Sequence, residues 1–464
     1  MNSDDPTLGG PLIVQTQGYT PQLWENQSVI FIANLLALFF GNEEQTRALE
    51  GELDGISSYG GRLLPLMGLL FRGGTNLLVL EREPDPALSK YFCEDLNLPL
   101  PEMQIFSHAQ YVELGRALRE GGPLPDVDLV GKWCAHPADA IDGLVTDETI
   151  SAIARSIGKR TLSTPEGSKN GNNKLLLHRY LEQCGLPVFE TCYAESSAEV
   201  AGCLTSLKEL GYDFAVAKSQ IGASGIGLVK LATSGPVTPM PASFFHEGPC
   251  MVQGWLRAGL HGVTRVFSPS VQMFLNHDSV YLYDLTEQIL SHDSVHHGNE
   301  SPPGYLAEFP GLMEELFRQA GIAGGWLHDQ GYRGTASVDF LVAGLDVPGE
   351  CRVYVCEINA RVTGATYPSV LARYYQPRGG WLMRNLRLDH PVSGTEVLDS
   401  LEQHGHLFRP GRERGILPIN FNLTADGLVG KGQFLCMGAT SAECHEMLQR
   451  AEEDLPIDWQ YVRD

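Results

Sequence analysis

Alternation of apolar and polar residues predicts two antiparallel β-hairpins in the chain. The first joins YDFAVAKSQ (212–220) to LVKLAT (228–233), because the glycine loop IGASGIG between them is too short for a parallel crossover. The second joins GTASVDFLVA (334–343) to CRVYVCEINA (351–360) across the turn GLDVPGE. Further strands are predicted at 250–256, 262–276, 279–286, 415–422 and 431–438.

Helices are predicted where apolar residues recur at three- and four-residue intervals. The segment NKLLLHRYLEQCG (173–185) predicts one helix, with Gly185 as its C-terminal cap. The spacing of SSAE (196–199) matches a capping box and predicts a second helix that runs to Gly211. The polar segment HDSVHHGNESPPG (292–304) predicts a loop.

The first third of the chain, residues 1 to 155, predicts a mixed α/β unit. VIFIANLLALFF (29–40) predicts a buried helix or strand, GTNLLVLERE (74–83) a buried strand, and DPALSKYFCEDLNL (85–98) the helix after it. No residue in this region is a clear candidate for a catalytic or ligand-binding role. We therefore expect it to serve as scaffold, as a dimer surface or as one wall of a substrate pocket, so a homodimer is one expectation.

Length, charge and cysteine usage narrow the class of protein. The chain has 464 residues, which is too many for one hydrophobic core, so several domains are expected. Its 33 basic and 56 acidic residues give a net charge of −23, which argues against nucleic acid or an anionic membrane as a partner. Ten cysteines without a CxxC pair and a polar, acidic N-terminus predict a cytoplasmic protein without a disulfide framework.

Residues suited to phosphate binding lie around the first hairpin. A phosphate cradle needs backbone N–H groups close to the ligand, and glycine permits that approach. Lys218 lies in the apolar run before the loop and Lys174 opens a predicted helix, so the two lysines could bracket the phosphates of a nucleotide. A plain glycine hairpin with two solvated lysines is the alternative. The candidate loop residues are Gly222, Ser224, Gly225 and Gly227.

A second set of polar residues lies on the second hairpin. Glu357 and Asn359 alternate on one strand and so share a face, and Asp339 lies on the strand paired with it. Their oxygens suit Mg²⁺ (or Mn²⁺), which takes few protein ligands besides substrate phosphates. Arg361 continues the alternation and offers a planar fork of donors to a phosphate. The alternative is a surface acidic cluster, but the apolar residues between the polar ones favour a strand with one buried face.

The order of these features resembles the ATP-grasp superfamily over roughly residues 165–375. Three segments, EGSKNGNNK (166–174), SPSVQMFLNHDSVYLYDLTEQIL (268–290) and EINARVTGATYP (357–368), are similar to the peptide ligases of the pheganomycin type. The resemblance implies an α/β (α+β) chain in which an α/β pre-ATP-grasp domain precedes the ATP-grasp fold. The implied divisions are residues 1–155, 156–390 (with parts at 160–248 and 249–390) and 391–464, the last completing the ATP-grasp fold.

The resemblance also implies a role for each candidate residue. The implied nucleotide-binding residues are Lys174, Lys218, Gly222, Ser224, Gly225, Gly227, Gln253, Trp255 and Leu256. The implied magnesium ligands are Asp339, Glu357 and Asn359. Arg361 and Lys218 are implied to be catalytic, because they would stabilise charge on the transferred phosphoryl group. The chain departs from the family pattern at Gln253, where the adenine hinge often begins with Glu, and at Tyr367, where the peptide ligases favour His.

The activity implied by the resemblance is ATP-dependent formation of an amide (peptide) bond between an amino-acid carboxylate and an amine. The reaction would pass through an acyl phosphate and release ADP and phosphate. The expected ligands are ATP, Mg²⁺ (or Mn²⁺) and small amino-acid or peptide substrates. Two alternatives stay open, namely an ATP-grasp enzyme that loads an amino acid onto a carrier protein or small metabolite, and a non-catalytic ATP-binding regulator. The intact acidic hairpin with Arg361 argues against the regulator.

Overall fold

The computed structural model describes residues 10–16, 18–20, 26–53, 55–290, 296–454 and 459–461 of the chain. Within these ranges the strands form three sheets of five, four and eleven members. They are called here the N-terminal sheet, the small sheet and the large sheet. No helix of the described residues is long and apolar enough to cross a membrane.

The N-terminal sheet is parallel and carries helices, as the predicted α/β unit requires. Its strands in the described ranges, in spatial order, are Glu102–Ile105, Leu77–Leu80, Val29–Ile32, Ala140–Gly143 and Arg160–Thr161. VIFIANLLALFF contains both predicted element types, because the strand ends at Ile32 and a 3₁₀ helix begins at Leu35. The helices of this part are Leu35–Phe39, Glu43–Glu52, Ile56–Leu63, Met67–Leu70, Pro86–Lys90, Tyr91–Asp95, His108–Glu120, Val127–Ala135 and Glu148–Ile157.

The small sheet contains the first predicted hairpin. Its strands, in spatial order, are Thr191–Ala194, Cys250–Gly254, Phe214–Ala223 and Ile226–Ala232. The last two are antiparallel, as predicted, but they extend into the glycine loop and leave only Ser224 and Gly225 as the turn. These two residues have φ values of 53° and 81°, the left-handed pair that a two-residue type I′ hairpin turn requires. The helices beside this sheet are Pro165–Gly171, Lys174–Gln183, Val200–Glu209 and Ala242–Phe245.

The large sheet contains the second predicted hairpin and strands from the end of the chain. Its described strands are Leu12–Gln15, Val263–Phe267, Pro269–Leu275, Ser279–Leu290, His296–Ser301, Gly334–Leu345, Cys351–Asn359, Gly380–Val392, Gly415–Leu423, Val429–Gly438 and Trp459–Tyr461. Its helices are Leu306–Glu308, Leu312–Asp329, Thr366–Tyr375, Gly394–Gln403 and Ser441–Asp454. In the second hairpin, Asp339 lies opposite Glu357 and Ser337 opposite Asn359.

Two local predictions are wrong. The predicted loop 292–304 contains the strand His296–Ser301, which is held between two neighbouring strands of the large sheet; residues 291–295 lie outside the described residues. The SSAE capping box does not cap a helix, because Glu199 turns its carboxylate back to the backbone N–H of Glu195, at 2.9 Å. The helix begins only at Val200, and no side chain caps its N-terminus.

The largest hydrophobic core joins the two ends of the chain. Apolar residues 29–98 of the N-terminal unit, which surround one face of its sheet, pack in one cluster with residues 381–451 of the large sheet and its helices. A separate cluster within residues 194–260 fills the small sheet and its helix. The small sheet therefore has a core of its own.

Candidate active site

The acidic residues of the second hairpin meet on one face of the large sheet. Asp339 accepts hydrogen bonds from Ser270 Oγ at 2.7 Å and from Asn359 Nδ2 at 2.9 Å. Ser270 reaches Asp339 because its strand, Pro269–Leu275, pairs with the strand Gly334–Leu345 on the side opposite to Cys351–Asn359. The amide of Asn359 donates through its nitrogen, which leaves its carbonyl oxygen for a cation.

Burial and neighbouring charges give the two carboxylates, Asp339 and Glu357, different pKa values. Burial and the adjacent Glu357 raise the pKa of Asp339 to about 6. Burial opposes ionisation of Glu357 as well, but Lys174 and Arg361 outweigh it, so its pKa falls below the usual range. The two carboxylates therefore differ in pKa, and a bound cation would favour the ionised form of both.

Lys174 connects this acidic pair to the glycine hairpin. It is the first residue of the helix Lys174–Gln183, where Asn173 caps the N-terminus by accepting from the N–H groups of Leu175 and Leu176, both at 3.0 Å. Its ammonium lies 3.0 Å from Glu357 Oε2 and donates to the carbonyl of Gly222 at 3.1 Å. The side chain of Lys174 is 12% exposed, so these partners stabilise a largely desolvated charge.

Lys218 approaches the same acidic residue from the small sheet. Its ammonium lies 5.7 Å from the ring centroid of Phe189, on the adjoining segment. Burial lowers the pKa of Lys218, and Lys174 acts in the same direction, whereas Cys356 and Glu357 oppose that change. The predicted need of Lys218 for an anionic partner is therefore met only at longer range by Glu357.

Two glycines of the hairpin, Gly222 and Gly227, are required by close contacts. A Cβ on Gly227 would lie 2.1 Å from Ser219 Oγ and 2.7 Å from Gln45 Nε2. A Cβ on Gly222 would lie 2.5 Å from the carbonyl of Ile226. Gln45 Nε2 donates to Ser219 Oγ at 3.0 Å, so the N-terminal unit holds the base of the hairpin directly.

Arg361 lies just beyond the strand rather than on it. It still acts on the acidic pair, because Glu357 and Asp339 counter the lowering of its pKa by burial. Its Nη1 donates to Asn172 Oδ1, and Asn172 Nδ2 donates to the carbonyl of Ala360 at 3.2 Å. Asn172 was missed at the sequence level. It belongs to the run NGNN before Lys174, and a cluster of amide side chains there is a signal that could have indicated a site residue.

The proposed adenine hinge lies at the end of a small-sheet strand. Gln253 is buried, and its Nε2 donates to Thr191 Oγ1 at 3.0 Å on the neighbouring strand. Trp255 follows the strand, with the ammonium of Lys230 at 4.5 Å from its ring centroid. Leu256 packs against the core of the small sheet. Their role in holding adenine stays a prediction.

The donor set fits a magnesium ion. Among the described residues no group of three or more His, Cys, Asp or Glu side chains suits a metal ion. The site instead offers two carboxylates and one amide oxygen, from Asp339, Glu357 and Asn359. Mg²⁺ is commonly bound by one or two carboxylates together with water and substrate phosphates, so these residues suffice for it.

Comparison with known proteins defines the class of fold. No protein-family model matches the chain. The chain is similar to biotin carboxylase from Campylobacter jejuni, solved in complex with β,γ-ATP. The superposition covers 93% of this chain and 92% of the carboxylase, with a TM-score of 0.55 and 12% identity. N5-carboxyaminoimidazole synthase from Aspergillus clavatus, solved with ADP and 5-aminoimidazole ribonucleotide, covers 92% and 98% with a TM-score of 0.51 and 13% identity. The chain has the ATP-grasp fold, which confirms the predicted fold class.

A curated relative adds a sequence match. The [butirosin acyl-carrier protein]–L-glutamate ligase of Niallia circulans is 28% identical over 201 residues, which is 42% of this chain and 44% of that protein. The chain therefore spans less than half the length of this curated relative. The match supports the predicted ligase class.

Proposed function

We propose that the protein is an ATP-dependent, ADP-forming ligase that joins an amino-acid carboxylate to an amine. The observation that carries the proposal is the convergence of Lys174, Glu357, Asp339 and Arg361 where the glycine hairpin meets the large sheet. Each cation there acts on an acidic group that suits magnesium. The phosphates of a bound nucleotide would pair with the cations, and its metal ion would pair with the acidic groups.

The residues of this cluster have separate roles in the proposal. Lys174 and Lys218 bind phosphate oxygens of ATP in place of their present interactions with Glu357. Asp339, Glu357 and Asn359 hold Mg²⁺, which when bound neutralises phosphate charge. The hairpin 222–227 covers the phosphates and excludes water, because water would hydrolyse an acyl phosphate.

The chemistry proceeds in two displacements. An oxygen of the substrate carboxylate attacks the γ-phosphorus of ATP, and the bond to ADP breaks. The resulting acyl phosphate has a leaving group that the free carboxylate lacks. The amine nitrogen then attacks the carbonyl carbon, phosphate leaves with the bonding electrons, and the excess proton of the nitrogen passes to solvent. Arg361 stabilises the charge on the phosphoryl group in transfer.

A carrier protein is the second candidate for the acceptor. The observation that favours it is the 28% identity to the carrier-protein ligase over 201 residues. In this case the nucleophile would be a carrier thiol rather than an amine, and the phosphate-activation step would be the same. The cytoplasmic location and the homodimer stay predictions.

The test is ADP release with the common amino acids, offered singly and in pairs, followed by mass spectrometry of the product. L-glutamate is the first amino acid to try, since the relative's name specifies it. We expect ADP and phosphate, a product heavier by one condensed amino acid, and no turnover with Glu357→Gln. Release of AMP and pyrophosphate would contradict the acyl-phosphate route. Turnover that requires an added carrier protein would favour the second candidate.

A further inference from the structure

Arg62 is a buried cation without a counterion in the described part of the chain. It lies on the 3₁₀ helix Ile56–Leu63 of the N-terminal unit and is 7% exposed. No carboxylate within the described ranges pairs with it, and its Nε has no acceptor there. Burial of an unpaired charge is unfavourable, so buried cations in native proteins are usually paired. The position therefore suits an anionic partner that is not part of the chain.

The Arg62 guanidinium lies over the rings of two tyrosines. Its Cζ lies 3.6 Å from the ring centroid of Tyr59 and 6.0 Å from that of Tyr367. Tyr367, which stands where the peptide ligases favour His, is 1% exposed. Contact with aromatic faces stabilises a guanidinium while leaving its N–H edge for a planar acceptor.

Two observations relate Arg62 to the segment that follows Arg361. Tyr367, whose ring centroid lies 6.0 Å from Arg62 Cζ, is on the helix Thr366–Tyr375, six residues after Arg361. On the other side, burial together with the charge of Arg62 lowers the pKa of His296 to about 4, so this imidazole is neutral at neutral pH. A Cβ on Gly364, three residues after Arg361, would lie only 3.2 Å from His296 Cε1. Arg62 therefore shares neighbours with the segment that follows Arg361.

We propose that Arg62 binds a carboxylate of the amino-acid or peptide substrate. The inference rests on the proposed ligase function. A planar guanidinium matches a carboxylate with two parallel hydrogen bonds. The phosphates of ATP are assigned to Lys174 and Lys218, which act on Glu357, whereas Arg62 acts on Tyr367 and His296. The bound carboxylate belongs either to the amino acid that is activated or to the one that accepts it.

The test compares Arg62→Met with Arg373→Met in the full-length protein. Arg373 is also buried, but it pairs with Asp284 at 2.7 Å. Arg62→Met should unfold in urea at the wild-type midpoint or above it, whereas Arg373→Met should unfold earlier because it leaves a buried carboxylate unpaired. An equally early midpoint for Arg62→Met would make Arg62 structural and overturn the proposal.

Binding is measured by saturation-transfer NMR with MgADP present, using L-glutamate and then each common amino acid, together with its carboxamide. We expect an amino acid that binds wild type, at least tenfold weaker binding of its amide and to Arg62→Met, and partial recovery with Arg62→Lys. Equal binding to Arg62→Met, or no binding of any amino acid to wild type, would overturn the proposal.

Turnover separates this inference from the proposed function and identifies the source of the carboxylate. A rise of at least tenfold in KM for one of the two substrates, with an unchanged KM for ATP, supports the inference and identifies whose carboxylate Arg62 binds. Normal KM values in Arg62→Met would overturn the inference alone. If wild type binds amino acids through Arg62 but releases no ADP, the ligase proposal fails and the carboxylate site stands.

Discussion

Replacement of Lys174 by methionine tests whether its ion pair occupies a nucleotide phosphate site. Methionine keeps much of the length of the side chain and removes the ammonium, which contacts Glu357 Oε2 at 3.0 Å and the Gly222 carbonyl at 3.1 Å. Arg361 still acts on Glu357, so the carboxylate keeps one of its two main cations. The unfolding free energy should therefore fall by only about 1.5–3 kcal/mol, the usual contribution of hydrogen bonds made by a charged group.

The loss of Lys174 should also weaken nucleotide binding. If Lys174 binds a phosphate, its loss removes a charge-assisted contact of about 1.5–3 kcal/mol, which corresponds to a rise in Kd of about 10- to 150-fold. Calorimetric titration of Lys174→Met with ADP and magnesium measures this change, and urea unfolding measures the stability. The hairpin should also become more accessible to protease near Gly222, because it loses its tie to the helix.

Lys169→Met is the matched control. Lys169 lies five positions before Lys174 in the same segment, but its side chain is exposed. Its loss should change both quantities little, since exposed substitutions without special contacts stay within about 0.5 kcal/mol. A Kd for Lys174→Met within threefold of wild type, or an equal loss in Lys169→Met, would refute the assignment of the phosphate site to Lys174.

Three further predictions follow from the same structure. Arg361→Lys should lower kcat by about a hundredfold or more while the Kd for ATP stays within about threefold, because one charge cannot replace the planar fork; near-normal turnover would make this arginine structural. Gly227→Ala should lower the unfolding free energy by about 2 kcal/mol or more, since φ is 79° and the Cβ would lie 2.1 Å from Ser219 Oγ, whereas Gly225→Ala, with φ of 81° and nothing within 4 Å, should cost about 1 kcal/mol; equal losses in urea unfolding would contradict the contact. Burial raises the pKa of Glu287 to about 7 from 4.5, so its destabilising ionisation sets in as pH rises between these values, and Glu287→Gln should gain up to about 3 kcal/mol over wild type between pH 5 and pH 8 in urea titrations; a pH-independent difference would refute this.

The parts of the site that come from local sequence were predictable. Glu357 and Asn359 share a strand, and Asp339 lies on its hairpin partner, so alternation alone brought the three together. The paired strands around Lys218 followed from the short glycine loop in the same way. In both cases the residues that must meet are joined by a turn, and the turn restricts the pairing to one arrangement.

Contacts between distant segments were not predictable from patterns. Arg62 meets Tyr367 across the junction of the N-terminal unit and the large sheet, and no periodicity relates residues so far apart. The strand His296–Ser301 is polar in sequence, and it forms because its neighbours on both sides supply backbone partners. Tertiary context overrides local propensity there, since a polar strand is stable once its backbone groups are paired and its side chains are satisfied. Ser301, for example, donates to the buried Asp284 at 2.9 Å.

The core that joins the two ends of the chain has a consequence for biosynthesis. Apolar residues of the N-terminal unit lack part of their packing until strands as late as Val429–Gly438 have left the ribosome. The small sheet, whose core lies within residues 194–260, needs no such delay. Sequence-distant contacts form slowly, and unburied apolar surface promotes aggregation meanwhile. We therefore expect chains terminated before residue 429 to contain a folded small sheet and an aggregation-prone N-terminal unit. Such chains should depend on chaperones where the full chain does not.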